Sequence, residues 1–231
     1  AGLLAGDKIM AVDDKPLKGK TSDEVSNLLK GSPGTKLMVK VLRPKADGTD
    51  EELKIEITRE EVKMKNVPYF GMIKDGIVYI KLEHFTQDAG KEVEDAVKEL
   101  KQKNPDLKGL ILDVRGNPGG LLNEAVTISN VFLPKNQLVC FTKGKVKDWD
   151  KDFKTTKEPI EAKLPLVVLI NKNSASASEI VSGAIQDLDR GVIIGRRSFG
   201  KGLVQEQFPF EDGSALNLTI ARYYTPLGRS I

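Results

Sequence analysis

Leu164-Pro165-Leu166-Val167-Val168-Leu169-Ile170-Asn171-Lys172-Asn173-Ser174-Ala175-Ser176-Ala177-Ser178-Glu179-Ile180 decides the reading of this chain. The run from Leu164 to Ile170 is apolar and mostly branched, the composition of a short buried strand. Beyond the serines, Ala177, Ile180, Val181, Ala184, Ile185 and Leu188 recur at helical spacing and make one apolar face. The serines therefore stand where a strand becomes a helix. The first amides of a helix have no partner within it, and the helix dipole favours negative charge at that end. A nucleophile placed there finds support for the oxyanion of a tetrahedral intermediate. The same residues also read as a helix cap, because Ser176 with Glu179 three residues on forms a capping box. This segment alone leaves cap and nucleophile both open.

A second strand–loop–helix pattern lies upstream. Gly109-Leu110-Ile111-Leu112-Asp113-Val114-Arg115 reads as a buried strand and runs into Gly116-Asn117-Pro118-Gly119-Gly120. Helical spacing resumes at Leu121, with Ala125, Ile128 and Val131. A glycine-rich loop lets backbone amides approach a ligand closely. One unit carries the serines, and the other is placed to supply an oxyanion donor.

Downstream, Phe199-Gly200-Lys201-Gly202 sets a lysine between two glycines. A serine and a lysine are enough to build a hydrolase without histidine. The chain has one histidine, His84. His84, Asp113 and Ser176 follow the chain order of a chymotrypsin-type triad. Yet His84 sits where a strand runs into a loop, and Asp113 ends a strand of its own. Asp113 and Arg115 read better as a pair that holds the glycine loop.

These strings, taken together, resemble the carboxyl-terminal processing, or tail-specific, serine proteases. The likeness rests on Asn173 to Ile180, on Gln186-Asp187 and Arg190, and on Ser198-Phe199-Gly200-Lys201-Gly202-Leu203-Val204-Gln205. It extends to Asp113-Val114-Arg115-Gly116-Asn117-Pro118-Gly119-Gly120 and to the ending Tyr223-Tyr224-Thr225-Pro226-Leu227-Gly228-Arg229-Ser230-Ile231. It covers essentially the whole chain, in order. The resemblance implies Ser176 as nucleophile, Lys201 as general base and Gln205 as the residue assisting the lysine. It implies an oxyanion hole from the Ala177 amide and a glycine amide of Gly119-Gly120. The residues alone do not choose Ser176 over Ser174 or Ser178.

The chemistry sets conditions on the lysine. A free lysine titrates near 10.4 and accepts a proton poorly at neutral pH. Desolvation or nearby positive charge must lower it toward about 7–8 for it to act as a base. Gly200 and Gly202 permit a tight loop, and Phe199 and Leu203 are placed to exclude water. Gln205 lies four residues on; in a straight strand that spans roughly 13 Å, so contact with Lys201 needs a bend or bulge.

The first 60 residues, read as domain 1–60, differ from the rest. Strand-like Asp7 to Val12, a short capped helix Ser22 to Lys30 and the alternating runs Lys36 to Arg43 and Glu51 to Thr58 follow one another. This order after Gly2-Leu3-Leu4-Ala5-Gly6-Asp7-Lys8-Ile9 resembles the latter part of a bacterial PDZ domain, with its first half outside this chain. PDZ domains hold a peptide carboxylate in a loop of backbone amides and pair the peptide with a sheet edge. In the family that loop and strand precede the helix and lie outside this chain, so the module as given is expected to bind tails poorly or not at all. On that helix, Val25, Leu28 and Leu29 are the apolar candidates for peptide contact. Some of them must face the PDZ core instead.

Residues 61–75 read as a charged linker. From 76 to 231, strands and helices alternate, which argues for an α/β core with parallel pairing. The resemblance implies a Clp/crotonase-like spiral ββα protease core. The charged excursion from 144 to 163, with Trp149 and Phe153, reads as a surface loop, with a flap beside the cleft as the alternative.

Composition narrows the partners. Lysine and arginine number 36 against 33 acidic residues, a net charge of +3 that gives no argument for nucleic acid. No apolar run is long enough for a membrane span. The single Cys140 excludes an internal disulfide, and no zinc or calcium spacing occurs, so neither metal nor cofactor is expected. The chain lacks a starting Met and a signal pattern and reads as an interior fragment; the resemblance implies an extracytoplasmic location. The expected partners are protein or peptide substrates with free C-terminal tails, with a homo-oligomer left open. Two other readings compete. One is a catalytically silent peptide-binding module, and the other is a carrier of apolar ligands on the same fold.

Overall fold

The structure, a computed structural model, describes residues 2–45, 48–60 and 65–231. The chain divides into two compact units, Ala1–Met64 and Lys65–Ile231.

The first unit holds β1 (Lys8–Val12), β2 (Lys15–Pro16), α1 (Ser22–Leu29), β3 (Lys36–Pro44) and β4 (Asp50–Thr58). The strands form one antiparallel sheet in the order β2-β1-β3-β4. Alternation builds its core. Leu37, Val39 and Val41 of β3 point inward with Val12, and Leu53, Ile55 and Ile57 of β4 pack on them. Thr21 and Glu24 start α1 as a reciprocal capping box. At the other end, the Arg59 guanidinium donates to the carbonyls of Leu28 and Leu29, at 3.1 and 2.8 Å. A cation there meets the last unpaired carbonyls and the negative end of the dipole.

The second unit holds β5 (Tyr69–Lys74), β6 (Ile77–Lys81), α2 (Ala89–Lys103), β7 (Gly109–Asp113), α3 (Leu122–Phe132), β8 (Leu138–Gly144), β9 (Lys151–Lys154), β10 (Leu166–Ile170), α4 (Ala177–Asp187), β11 (Val192–Gly195), β12 (Leu203–Pro209) and β13 (Ala215–Tyr224). One sheet runs β11-β10-β7-β6-β5, parallel except for the β5–β6 hairpin. The other, β12-β13-β8-β9, is antiparallel. The core joins Val78, Ile80, Leu112 and Val168 from strands to Val93, Ile128, Phe132, Ile180 and Ile185 from helices. Burying each such side chain contributes roughly 1.5–3 kcal/mol. This is the α/β core, with a PDZ-like unit before it, that the sequence led us to expect.

Two expectations need correction. Of the linker read over 61–75, residues 61–64 lie outside the described residues. Within the remainder, Tyr69–Lys74 is a strand, β5, paired with β6. The turn between them is Asp75-Gly76, both with positive φ (40° and 86°), the type of turn that matches the twist of a two-residue hairpin. The segment before it is also anchored. Asn66 is buried, its Oδ1 accepts from the Thr86 amide, and the Val67 amide donates to Glu92, each at 2.9 Å. The excursion 144–163 is likewise not a plain loop. Lys147–Trp149 is a 3-10 turn and β9 pairs with β8. Thr142 Oγ1 donates to the Trp149 carbonyl at 2.5 Å, and the Gly144 amide donates to Asp150 at 2.9 Å.

Candidate active site

β7 and β10 are neighbours and parallel, with Asp113 opposite Leu169. The loops leaving their C-terminal ends therefore run side by side, the place where open α/β sheets build sites. Hydrogen bonds knit the two loops. The Val114 amide donates to the Leu169 carbonyl (3.0 Å), Gly116 N–H to Asn171 Oδ1 (3.0 Å) and Ala175 N–H to the Asn117 carbonyl (3.1 Å).

The three serines of the second loop have different surroundings. Ser174 is fully buried; its hydroxyl donates to the Val114 carbonyl at 2.8 Å and accepts the Asn171 amide at 3.0 Å. Ser178 is fully buried, and its hydroxyl donates to the Asn117 carbonyl at 3.0 Å. Both fasten α4 to the glycine loop. Ser176 is only half-buried and takes φ +55°, ψ −113° at the head of α4. Such a backbone costs a non-glycine residue of order 1–3 kcal/mol and persists only where the surroundings enforce it. Ser176 and Glu179 are arranged as a capping box, but the Ser176 hydroxyl makes no well-formed cap hydrogen bond. The Glu179 amide donates instead to the Ser176 carbonyl, at 2.8 Å.

Gly119 lies directly against this turn. A Cβ on it would come within 2.9 Å of Ser176 Cβ and 2.6 Å of the Ala175 carbonyl oxygen, so no other residue fits there. The Gly119 amide donates to Asn117 Oδ1 at 2.9 Å, and its carbonyl accepts the Phe85 amide at 3.3 Å. In a trans peptide the N–H points opposite to the carbonyl. The Gly120 amide is thus turned away from Phe85, and it has no partner among the described residues. The Ala177 amide, at the first position of α4, is left open in the same way.

The third loop is tied to the serine by Glu179, which is buried. Its Oε2 accepts the amides of Ser176 (2.8 Å) and Lys201 (2.9 Å), and its Oε1 accepts that of Gly200 (2.7 Å). A further bond runs from the Phe199 amide to the Ser174 carbonyl at 3.0 Å. Serine turn, glycine loop and lysine loop are thereby fixed to one another through backbone.

Peptidase family S41 matches residues 76–231, which contain all three loops. The chain belongs to this family. A PDZ domain matches residues 1–43. The carboxy-terminal-processing protease of Bartonella bacilliformis is 41% identical over 233 residues, covering all of this chain and 52% of that protein. A probable CtpA-like serine protease of Staphylococcus aureus is 38% identical over 234 residues, covering all of this chain and 45% of that protein. Among solved structures, the photosystem II D1 C-terminal processing protease superposes with a TM-score of 0.65 at 31% identity. That match covers 99% of this chain and 61% of the other. The chain spans about half the length of the curated relatives it matches.

In this S41 core, Lys201 departs from the dry setting expected of it. Its side chain is exposed, because the flanking Phe199 and Leu203 are themselves turned outward, at 68% and 46% exposure. No hydrogen bond joins its amine to Ser176 among the described residues, and no carboxylate there forms an ion pair with it. Gln205 is exposed on β12 opposite Thr219, and the register slips between Val204 and Gln205, the bulge that a contact with Lys201 would require.

Asp113 and His84 are not brought together. Asp113 is buried; it accepts from the Arg115 guanidinium (2.7 Å), the Arg115 amide (2.8 Å) and the Tyr79 hydroxyl (2.7 Å). Burial pushes its carboxyl up, but these bonds and the nearby Lys81 outweigh burial and hold it below the usual carboxylate range. It anchors the start of the glycine loop. His84 is half-buried beyond β6. Sequence reasoning missed how far Glu179 reaches, since a capping box announces only its bond to Ser176. It named Asp187 only as part of a motif and missed its role: its carboxylate accepts the Leu227 amide at 2.9 Å and pairs with Arg229, pinning the turn before Ile231 to α4.

In the PDZ-like unit, Val25 and Leu29 line an open groove of about 840 Å³ floored by Leu37 and Ile57, with Lys20, Lys30 and Arg59 also lining it. Leu28 does not line it and packs against the core cluster instead.

Proposed function

We propose that the chain is the working part of a serine endopeptidase that processes proteins near their C-termini, with Ser176 as nucleophile and Lys201 as general base. The observation that carries the reading is the Ser176 turn: a serine held at positive φ on a helix N-terminus, beside the open amides of Gly120 and Ala177. This is the strand–turn–helix placement that presents a nucleophile and an oxyanion site together.

In the reaction, neutral Lys201 takes the Ser176 proton as Oγ attacks the scissile carbonyl. The carbonyl oxygen becomes an oxyanion and settles between the Gly120 and Ala177 amides. Lys201 then gives its proton to the leaving amine, and the C–N bond breaks to leave an acyl-serine. Water, deprotonated by Lys201, attacks the ester and restores the serine. A bound peptide would cover the exposed lysine and remove its water, lowering the cost of keeping it neutral. Gln205 accepts an N–H of the lysine and orients it. Gly119 is not a donor in this hole, because its amide is held by Asn117.

The groove beside α1 takes the substrate tail, with Val25 and Leu29 as apolar contacts. The protein acts outside the cytoplasm, as the family resemblance implies. The test is cleavage of a peptide with an apolar C-terminus by the chain and by Ser176→Ala. Cleavage by the first and none by the second supports the reading; equal cleavage refutes it.

A further inference from the structure

Asn117 lies where the glycine loop, the serine loop and the end of β6 meet, and each of its four polar atoms is engaged. It is fully buried. Its Nδ2 donates to the Leu82 carbonyl at 3.0 Å, and its Oδ1 accepts the Gly119 amide at 2.9 Å. Its own amide donates to the Val114 carbonyl at 3.2 Å. Its carbonyl accepts both the Ala175 amide at 3.1 Å and the Ser178 hydroxyl at 3.0 Å, the residues on either side of Ser176-Ala177.

The consequences follow from geometry. The Oδ1 bond closes an Asx turn across Pro118, which has no N–H to compete for it. That turn draws the Gly119 amide inward. The next peptide is gripped at its other end, where the Gly119 carbonyl accepts the Phe85 amide. A planar trans peptide held in this way can aim the Gly120 N–H in only one direction. The same residue's carbonyl fixes the backbone that carries the Ala177 amide. A buried amide side chain is costly unless bonded, and here its bonds end on backbone leading to both open N–H groups.

We infer that Asn117 is the positioning residue that sets the spacing and aim of the Gly120 and Ala177 amides as an oxyanion-binding pair. The inference rests on the reading of Ser176 as nucleophile. Asn117 itself touches no substrate; it acts through the two peptides.

The experiment compares the 231-residue chain with Asn117→Ala, Asn117→Ser and Asn117→Asp. It measures kcat and KM on a peptide substrate, the inhibition constant of a peptidyl boronate that adds to the serine oxygen, and Tm. Serine keeps a shorter acceptor for the Gly119 amide; aspartate keeps the acceptor but sets a carboxylate against the Leu82 carbonyl. In Asn117→Ala, kcat should fall about 10- to 100-fold, because misaiming an oxyanion donor approaches the cost of losing it. KM should stay within about threefold, since the contact forms only in the transition state. The boronate constant should rise by the factor lost in kcat/KM, and Asn117→Ser should recover part of both. A residue that serves stability alone would lower Tm and leave kcat and the boronate constant unchanged, which overturns the inference. Should Asn117→Ala fail to fold, unchanged constants in the serine and aspartate variants overturn it equally. A wild-type chain that neither cleaves peptide nor binds boronate sinks the nucleophile reading and this inference with it. Active wild type with indifferent variants sinks the inference alone.

Discussion

The Glu179 carboxylate accepts the backbone amide of Lys201 at 2.9 Å, across 22 residues of sequence, and not its ammonium group. The same oxygen accepts the Ser176 amide, and its partner oxygen that of Gly200. One buried acid therefore sets the separation between the serine turn and the lysine loop without contacting the lysine amine. Glu179→Gln replaces one acceptor oxygen with a donor NH2, so at least one of these amides faces a donor. A charge-assisted bond of this kind contributes about 1.5–3 kcal/mol. We expect kcat/KM to fall about tenfold or more with a lowered Tm, read by peptide cleavage and thermal unfolding. Unchanged kcat/KM would show that the bridge does not position the site.

Ser176 carries strain that Ser174 and Ser178 do not. Ser176→Gly should abolish cleavage and raise stability by about 1 kcal/mol, because glycine adopts positive φ without penalty. Ser174→Ala and Ser178→Ala should each lose about 1–2 kcal/mol from a broken buried hydrogen bond, yet keep most of their activity when folded. Denaturant melts paired with cleavage rates separate the two behaviours. Loss of activity without loss of stability at Ser174 or Ser178 would point to the wrong serine.

Lys201→Ala should be as damaging as Ser176→Ala, since a nucleophile and its base act as a unit. Lys201→Arg should not rescue it, because guanidinium stays protonated. His84→Ala should leave most turnover. A dead His84→Ala beside an active Lys201→Ala would reverse the assignment.

In the first unit, Asp7 receives both donors of a forked Arg43 contact at 2.8 Å, and the Leu4 amide at 2.9 Å. These bonds hold its carboxyl at about 2. The unfolded chain binds that proton near 3.9. A depressed carboxyl therefore stabilises the fold above about pH 4, and the contribution disappears as pH falls toward about 2. Wild type should lose stability over that interval, and Asp7→Asn should be less stable at neutral pH with a flatter acid limb. Parallel acid limbs in urea titrations would contradict this.

Val25 and Leu28 stand three residues apart on α1 but face different surroundings. Val25→Glu should weaken binding of a C-terminal peptide to the groove, measured by fluorescence anisotropy, with little change in Tm. Leu28→Ala should cost about 1–2 kcal/mol through lost packing and leave peptide affinity nearly unchanged. The reverse pattern would mean that the tail binds elsewhere.

The parts of this molecule legible from sequence were those set by local pattern. The apolar run before Asn171 and the helical face after Ser176 gave β10 and α4 to within a residue or two. β5 was hidden behind its charged lead-in, although Asp75-Gly76 announces a hairpin between Tyr69 and Lys81. Three features depended on contacts between distant residues and were beyond reach. Which of the Gly119 and Gly120 amides stays open depends on where the Asn117 side chain points. Separating Ser176 from its neighbours depends on which hydroxyls find carbonyls on the glycine loop. The exposure of Lys201 depends on Phe199 and Leu203 turning outward, which their apolar character argued against.

The central claim is that Ser176, Lys201 and the Gly120 and Ala177 amides form one reacting centre. A crystal structure of the chain with a peptidyl boronate tests it most directly. The account predicts boron bonded to Ser176 Oγ, a boronate oxygen about 3 Å from both amides and Lys201 Nζ within hydrogen-bond reach of Oγ. Boron on any other side chain, or His84 against the serine oxygen with Lys201 still in solvent, would contradict it.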